Sequence, residues 1–400
     1  MEMRIDLIGF GMDSPRTLTL AARRALGQAQ LVLGAPRLLS LAKHLCSGPF
    51  LGAITPGEIQ KILQRMNPER AAVLYSGDLG FYSGAEGLRR ALPEAELVSY
   101  PGVSSVQYLA ARLGMPWQDW RFVSAHGADA DPAPQLMLAP RCFFLTDPKH
   151  TPAALCAALT RDGLGDCACF VGEDLGAPEE KVTRGPAREL AQKTFSPLCV
   201  LLVCREDFSF RPAPGLPDQA FLRQPGIPLT KQMVRAAILA KLSPRPGQIA
   251  WDLGCGSGGV STELALALAP GRVFALDRDP EACRLTLQNA HRLGAYNLTA
   301  APGLLPDALA GLPRPDLVFL GGGTAFAPEA LRAALALNPD VRFALTAVSL
   351  EGLSAGLAAL EGAGLEADLT QLSVSRAEKK GSHRLLMAQN PVFLLTGVRP

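Results

Sequence analysis

Short apolar runs bounded by turn residues recur through the first half of the chain, at Met3–Ile8, Gln30–Gly34, Ala71–Tyr75, Glu96–Tyr100, Cys142–Thr146, Cys167–Val171 and Leu198–Cys204. Between them lie stretches with helical spacing of apolar positions, such as Leu18–Ala29 and Ser104–Leu113. Strand-length runs alternating with helix-length runs predict an α/β layout. The pattern stops between Phe208 and Gly226, where prolines crowd the chain and no period survives. That composition predicts an interdomain linker over 208–225. Periodicity resumes with an amphipathic helix over Lys231–Leu242, for which Thr230 is the expected cap. Strands follow at Ile249–Leu253, Arg272–Leu276, Leu298–Ala301, Leu317–Leu320 and Phe343–Ala347, with a helix entered through Asp279-Pro280-Glu281 and closed by Gly294. Leu369–Ser375 and Val392–Gly397 are expected to pair antiparallel at the edge of a seven-stranded sheet. The domains are therefore placed at 1–207 and 226–400, with no internal repeat between them.

Bulk properties narrow the class. The chain has 400 residues, too many for one ordinary core. Apolar residues make up 48% and charged residues 19%, a globular balance. The nine cysteines show no zinc spacing, so no metal site is expected and the thiols read as reduced core residues of a cytosolic enzyme. Glu2, Arg4 and Asp6 interrupt the first apolar stretch, which excludes a secretory signal, and no run reaches membrane-spanning length. A formal charge of +2 is too small for a nucleic-acid surface. A cytoplasmic homo-oligomer acting on a small molecule, without nucleic-acid or membrane partners, is expected.

Candidate chemistry concentrates at Asp252-Leu253-Gly254-Cys255-Gly256-Ser257-Gly258, where an apolar strand ends on an acid and runs into a glycine-rich turn opening a helix. Small residues there let backbone N–H groups approach a ligand closely. Asp277 closes the next apolar run and is suited to accept both hydroxyls of a ribose. Gly254, Gly256 and Gly259 also satisfy the dinucleotide pattern, so a nicotinamide enzyme stays open on the glycines alone. Asp252, two residues before the first glycine, favours S-adenosylmethionine, because dinucleotide folds usually keep that position apolar.

Four stretches of the second half, Gly226-Ile227-Pro228-Leu229-Thr230-Lys231, Trp251–Gly258, Pro315–Gly323 and Ala347-Val348-Ser349-Leu350-Glu351, closely resemble the carbon-15-methylating, decarboxylating domain of corrin biosynthesis. The first half resembles the tetrapyrrole methylase family through Gly9-Phe10-Gly11-Met12-Asp13, Ser76-Gly77-Asp78-Leu79-Gly80-Phe81-Tyr82, Pro101-Gly102-Val103-Ser104-Ser105, Ser124-Ala125-His126-Gly127 and Val171–Gly176. The resemblance implies a two-lobed tetrapyrrole methylase fold followed by a seven-stranded, Rossmann-like class I methyltransferase. It also implies a bifunctional enzyme of cobalamin biosynthesis that methylates carbons 5 and 15 of a precorrin and decarboxylates the ring C acetate. A cobalt-bearing precorrin is the alternative substrate, and a nucleic-acid methyltransferase with an accessory domain a more remote reading. Leu79, Cys199 and Pro302 stand where the families usually have proline, asparagine and an acid.

Two molecules of S-adenosylmethionine follow from the resemblance, one per domain. In the second domain the cofactor is expected over Asp252, Gly254, Cys255, Gly256, Ser257 and Gly258, with its ribose on Asp277 and with Thr230 and Gly303 nearby. Lys231 and Gly321, Gly322 and Gly323 are expected to face the macrocycle. In the first domain Gly9, Gly11, Gly77, Asp78, Ser104 and Ser105 are the expected cofactor residues, with a helix-cap role competing at Ser104. His126 rests on its motif match alone. Precorrins carry many carboxylates, and Lys379, Lys380 and Arg384, in one loop with Arg376, are the candidate cations for them. Glu351, His383 and Arg376 are proton-handling candidates by position only.

Overall fold

A computed structural model describes residues 3–12, 14–125, 131–206, 214–321 and 323–399. Asp13, His126, Gly127, Gly322 and residues 208–213 of the expected linker lie outside the described residues. The chain divides into two compact units, one made of Met1–Ala130 with Arg141–Arg205, the other of Asp131–Pro140 with Glu206–Pro400. Among the described residues no helix is long and apolar enough to cross a membrane.

The first unit holds two five-stranded sheets. One contains β1 (Arg4–Gly9), β2 (Leu31–Gly34), β3 (Phe50–Gly52), β4 (Arg70–Tyr75) and β5 (Glu96–Tyr100), all parallel, in the order β3-β2-β4-β1-β5. Successive side chains of a strand point to opposite faces. Ile5 and Leu7 accordingly join Leu33 and Val73 on one side, while Ile8 joins Val32 and Ala72 on the other. Helices cover both faces, as an all-parallel sheet requires. The second sheet is mixed and contains β6 (Arg121–Ser124), β7 (Arg141–Leu145), β8 (Ala168–Glu173), β9 (Lys181–Pro186) and β10 (Cys199–Cys204), in the order β6-β7-β10-β8-β9. The sequence pattern misses β3, β6 and β9. The first has only three residues, and β9 is a polar edge strand with no apolar alternation.

The second unit is a seven-stranded sheet of β11 (Ile249–Leu253), β12 (Arg272–Asp277), β13 (Leu298–Pro302), β14 (Leu317–Leu320), β15 (Arg342–Ala347), β16 (Glu366–Leu372) and β19 (Val392–Val398), in the order β13-β12-β11-β14-β15-β19-β16. The first five run parallel, and β19 pairs antiparallel with β15 and β16 as expected. Trp251, Leu253, Val318, Leu320, Phe343 and Leu345 fill one face, and Ala250, Val273, Leu317, Phe319 and Ala344 the other.

Three local expectations are corrected. Lys231, not Thr230, is the cap residue of the helix Gln232–Leu242, and its own side chain makes no cap bond; Asp218 accepts the Gln232 N–H at 2.8 Å instead, and the Thr230 carbonyl accepts from Arg235 Nη1 at 2.5 Å. The basic cluster before the last strand is not a loop but a two-stranded ribbon, β17 (Ser375–Lys380) with β18 (His383–Ala388). The described end of the expected linker is bonded into the second unit: Asp218 is buried and ion-paired to Arg235 at 2.8 Å, and the Gly215 N–H donates to Glu263 at 2.9 Å.

Candidate functional site

Parallel strands collect ligands at their carboxyl ends, because the loops that leave them there can part around a crevice. In the second unit a cavity of about 400 Å³ lies over the ends of β11 to β14 and is lined by Gly254, Gly256, Asp277, Gly303, Gly321 and Gly323 among others. Its walls also include Ile227 and Pro228, from the quoted entry motif but with no role assigned to them there, and Leu304, Leu305 and Phe326, which the sequence reading does not single out.

The glycine loop is pinned from three sides. Asp277 accepts the Gly256 N–H at 2.9 Å through one carboxylate oxygen and the Asp279 N–H at 3.0 Å through the other. The Pro228 carbonyl accepts both the Ser257 N–H at 3.1 Å and the Ser257 hydroxyl at 2.9 Å. From the helix Pro280–Arg292, Thr286 donates to the Gly256 carbonyl at 3.0 Å and Asn289 to the Ser257 carbonyl at 2.8 Å. Gly254 and Gly256 have φ of +86° and +56°, and a Cβ on Gly256 would stand 2.8 Å from the Pro228 carbonyl oxygen. Only glycine meets both demands without strain.

Beneath this loop sits a buried ionic cluster. Arg235 is fully buried, paired with Asp218 and Glu263 at 2.8 Å each, and stacked 4.7 Å from the Phe221 ring centroid. By holding the carbonyls of Leu216 and Thr230 it fixes the segment that carries Pro228. The sequence carries no local signal of this, since the partners are up to 28 residues apart.

Several expected contacts lie elsewhere. Asp252 is buried under the loop rather than in the cavity wall, with its carboxylate turned to the Ser261 hydroxyl. Burial pushes its pKa up to about 7 against that hydrogen bond, and the charge of Asp277 adds to the rise. Cys255 packs against Thr286, and Ser257, Gly258, Thr230 and Lys231 are also absent from the cavity wall. Arg376 reaches Gln232 at 3.5 Å and Asp218 at 3.8 Å, which seats the ribbon beside the helix Gln232–Leu242. Lys379 stands opposite Arg384, and Lys380 opposite His383, all exposed. Glu351 is exposed, and hydrogen bonds from its own backbone N–H and from Ser349 hold its carboxyl below the usual range. A carboxylate so held is ionised at neutral pH and is a poor proton donor.

The first unit has its own cavity, of about 350 Å³, between its two sheets; Gly77, Asp78, Ser104 and Ser105 line it. Asp78 accepts from the Gly80 N–H at 2.8 Å and the Gly102 N–H at 3.1 Å. Ser104 caps the helix Ser105–Leu113 in a reciprocal pair with Gln107, so the cap role is present alongside the cavity-facing one. Gly9 and Gly11 are not in the wall. They meet Gly77 and Gly102 backbone to backbone: Gly11 and Gly77 exchange N–H···O bonds at 3.0 and 3.2 Å, and a Cβ on Gly9 would stand 2.6 Å from the Gly102 nitrogen. Met12, from the quoted glycine motif, also lines this cavity, as do Arg37, Thr146, Asp147 and Leu198, which carry no sequence signal.

Comparison with known proteins assigns a family to this pair of sites. Residues 4–191 match the family of tetrapyrrole (corrin/porphyrin) methylases, and residues 221–399 match the precorrin methyltransferase domain. A precorrin-6Y C(5,15)-methyltransferase [decarboxylating] of Sinorhizobium sp is 34% identical over 326 residues, covering 80% of this chain and 78% of the relative. The chain belongs to the precorrin-6Y C(5,15)-methyltransferase family. A tetrapyrrole methylase fold and a Rossmann-like methyltransferase fold stand in one chain, which is an S-adenosylmethionine-dependent methyltransferase. A probable cobalt-precorrin-6B C(15)-methyltransferase (decarboxylating) of Pyrobaculum calidifontis is 40% identical over 185 residues, 46% of this chain and 95% of its own. The C-terminal domain of precorrin-6Y C5,15-methyltransferase from Rhodobacter capsulatus is 34% identical, with coverage of 46% of this chain and 98% of that one and a TM-score of 0.41.

Proposed function

We propose that this chain methylates carbons 5 and 15 of precorrin-6Y and decarboxylates the ring C acetate, giving precorrin-8X. The domain spanning 1–207 serves carbon 5, and the domain at 226–400 serves carbon 15 and the decarboxylation. The observation that carries this reading is a relative of that name aligned with 80% of the chain, across both units. Each unit binds one S-adenosylmethionine in its own cavity. Bound there, the cofactor supplies an electrophilic methyl group whose positive charge is already on the donor, so the protein's task is alignment and exclusion of water.

The residues fit that cofactor. In the second unit the left-handed turn at Gly254 and Gly256 brings the loop backbone to the cavity wall, Asp277 keeps lone pairs for a ribose beside the loop it anchors, and Leu304 and Leu305 offer an apolar wall after β13. Pro302 supplies no charged contact there, so adenine is held by the backbone and apolar surface near Gly303. In the first unit Asp78 and Ser105 provide polar wall around the backbone cradle. The facing cations Lys379 and Arg384 oppose each other at a cost to the ribbon, as like charges directly across a strand pair do. They are suited to substrate carboxylates, with which they form charge-assisted bonds. Loss of the carboxyl leaves an electron pair that the conjugated macrocycle can take up, so no covalent protein group is required.

Incubation with precorrin-6Y and excess S-adenosylmethionine, followed by mass spectrometry, tests the reading. Two methyl groups gained and one carboxyl lost are expected. Turnover of only the cobalt-loaded substrate would transfer the proposal to that alternative. A homo-oligomer in the cytoplasm completes the reading, and light scattering tests its size.

A further inference from the structure

The cavity of the second unit is small for what the proposed reaction must bring together. At about 400 Å³ it lies near the lower end of ligand pockets, roughly 300–1,000 Å³, and a nucleoside cofactor occupies it alone. A tetrapyrrole must then lie across the mouth. The cofactor's ribose and base belong over β12 and β13, at Asp277 and Gly303, which leaves its reacting end towards β14 and the neighbouring β15.

The surface on that side is apolar. Phe326 follows β14, lines the cavity and is 44% exposed; Val348 and Leu350, just past β15, are 76% and 70% exposed. The elements that carry them lie side by side, because the turn Thr324–Phe326 packs on the helix Leu350–Gly362 and on β15. Ser349 is itself exposed, and its hydroxyl accepts the Gly352 N–H at 3.1 Å as the helix cap, which fixes the backbone from which Val348 and Leu350 reach solvent. Large apolar side chains grouped beside a cavity mark a binding surface rather than chance exposure. The motif that carries them, Ala347-Val348-Ser349-Leu350-Glu351, has no part in the cofactor cavity.

The geometry points to Phe326, Val348 and Leu350 as the platform on which the flat apolar face of the corrinoid macrocycle lies, with its edge carboxylates outward. This rests on the proposed function and adds the seat of its substrate. The platform determines affinity for the macrocycle at the second site and has no role in cofactor binding or in the first unit.

The test uses the full chain carrying Val348→Asn and Leu350→Gln together, with precorrin-6Y as substrate. KM for carbon-15 methylation and for decarboxylation should rise about tenfold or more, the loss of two apolar contacts. S-adenosylmethionine affinity and carbon-5 methylation should match the parent, and melting should show that the variant is folded. An unchanged KM in a folded variant overturns the platform. So does a variant whose KM is unchanged but whose oligomer dissociates, which would make the patch a contact between copies. If the parent protein itself leaves precorrin-6Y unmethylated, the functional reading fails first and takes the platform with it.

Discussion

Both units carry glycine clusters at the ends of parallel strands where backbones meet closely, but the clusters differ in their relation to the cavity. In the second unit Gly254 and Gly256 line the cavity in left-handed conformations, and a Cβ on either would strike backbone, the Gly321 carbonyl or the Pro228 carbonyl, so their missing side chains let the loop close on its neighbours. In the first, Gly9 meets Gly77 and Gly102 backbone to backbone, and the missing side chains let strand ends interlock. The first cavity is instead walled largely by side chains, among them Thr146, Asp147 and Phe81. A glycine motif therefore marks a close approach of backbone to backbone, and the fold decides whether the turn so formed also walls a cavity.

The largest effect that would break this contrast is expected at the cavity-lining glycine. Gly256→Asp places a carboxylate and its bulk in the loop at φ +56°, and carbon-15 methylation and decarboxylation should be lost together while carbon-5 methylation persists. Product analysis by mass spectrometry reads both outcomes. Asp277→Ala should weaken S-adenosylmethionine binding in the second unit by about 1.5–3 kcal/mol, because a charged acceptor is removed and the Gly256 N–H loses its partner. Calorimetry should show one of two cofactor sites weakened; two unchanged sites would take Asp277 out of the cofactor's surroundings.

At the interlocked glycines the loss should be of stability, not of ligand contact. Gly9→Ala drives a methyl against the Gly102 nitrogen and the Gly77 carbonyl, 2.6 and 2.9 Å from the new Cβ, and should destabilise the first unit by about 1–3 kcal/mol. Hydrogen exchange of the β1 and β4 amides would register this, with the second unit unaffected. The smallest effect belongs to Ser104→Ala, about 1 kcal/mol for a lost helix cap. If carbon-5 KM for S-adenosylmethionine also rises, Ser104 serves the cofactor as well as the helix; an unchanged KM leaves it a cap.

The parts of this molecule legible in the sequence are those set by local pattern. Strands β11, β12, β14 and β15 are buried on both faces and read as apolar runs, and the Asp277 register follows from the end of such a run. What stays hidden depends on partners distant along the chain. Asp252 turns away from the cavity because the helix Gly259–Leu268 presents Ser261 beneath the loop. Gly215–Phe221 has the composition of a linker, yet Arg235 and Glu263 make it part of a core. The ribbon β17–β18 is almost wholly exposed, so its residues show no alternation from which pairing could be inferred.

The claim on which the rest depends is that two separate cavities divide the two methylations, with decarboxylation belonging to the second. It is tested most directly by supplying precorrin-6Y, labelled in the ring C acetate carboxyl, to the Gly256→Asp protein with excess S-adenosylmethionine. The account predicts a product with one added methyl group and no labelled carbon dioxide released. Release at the parent's rate would contradict it, since decarboxylation would then occur outside the cavity formed by Gly254, Gly256 and Asp277.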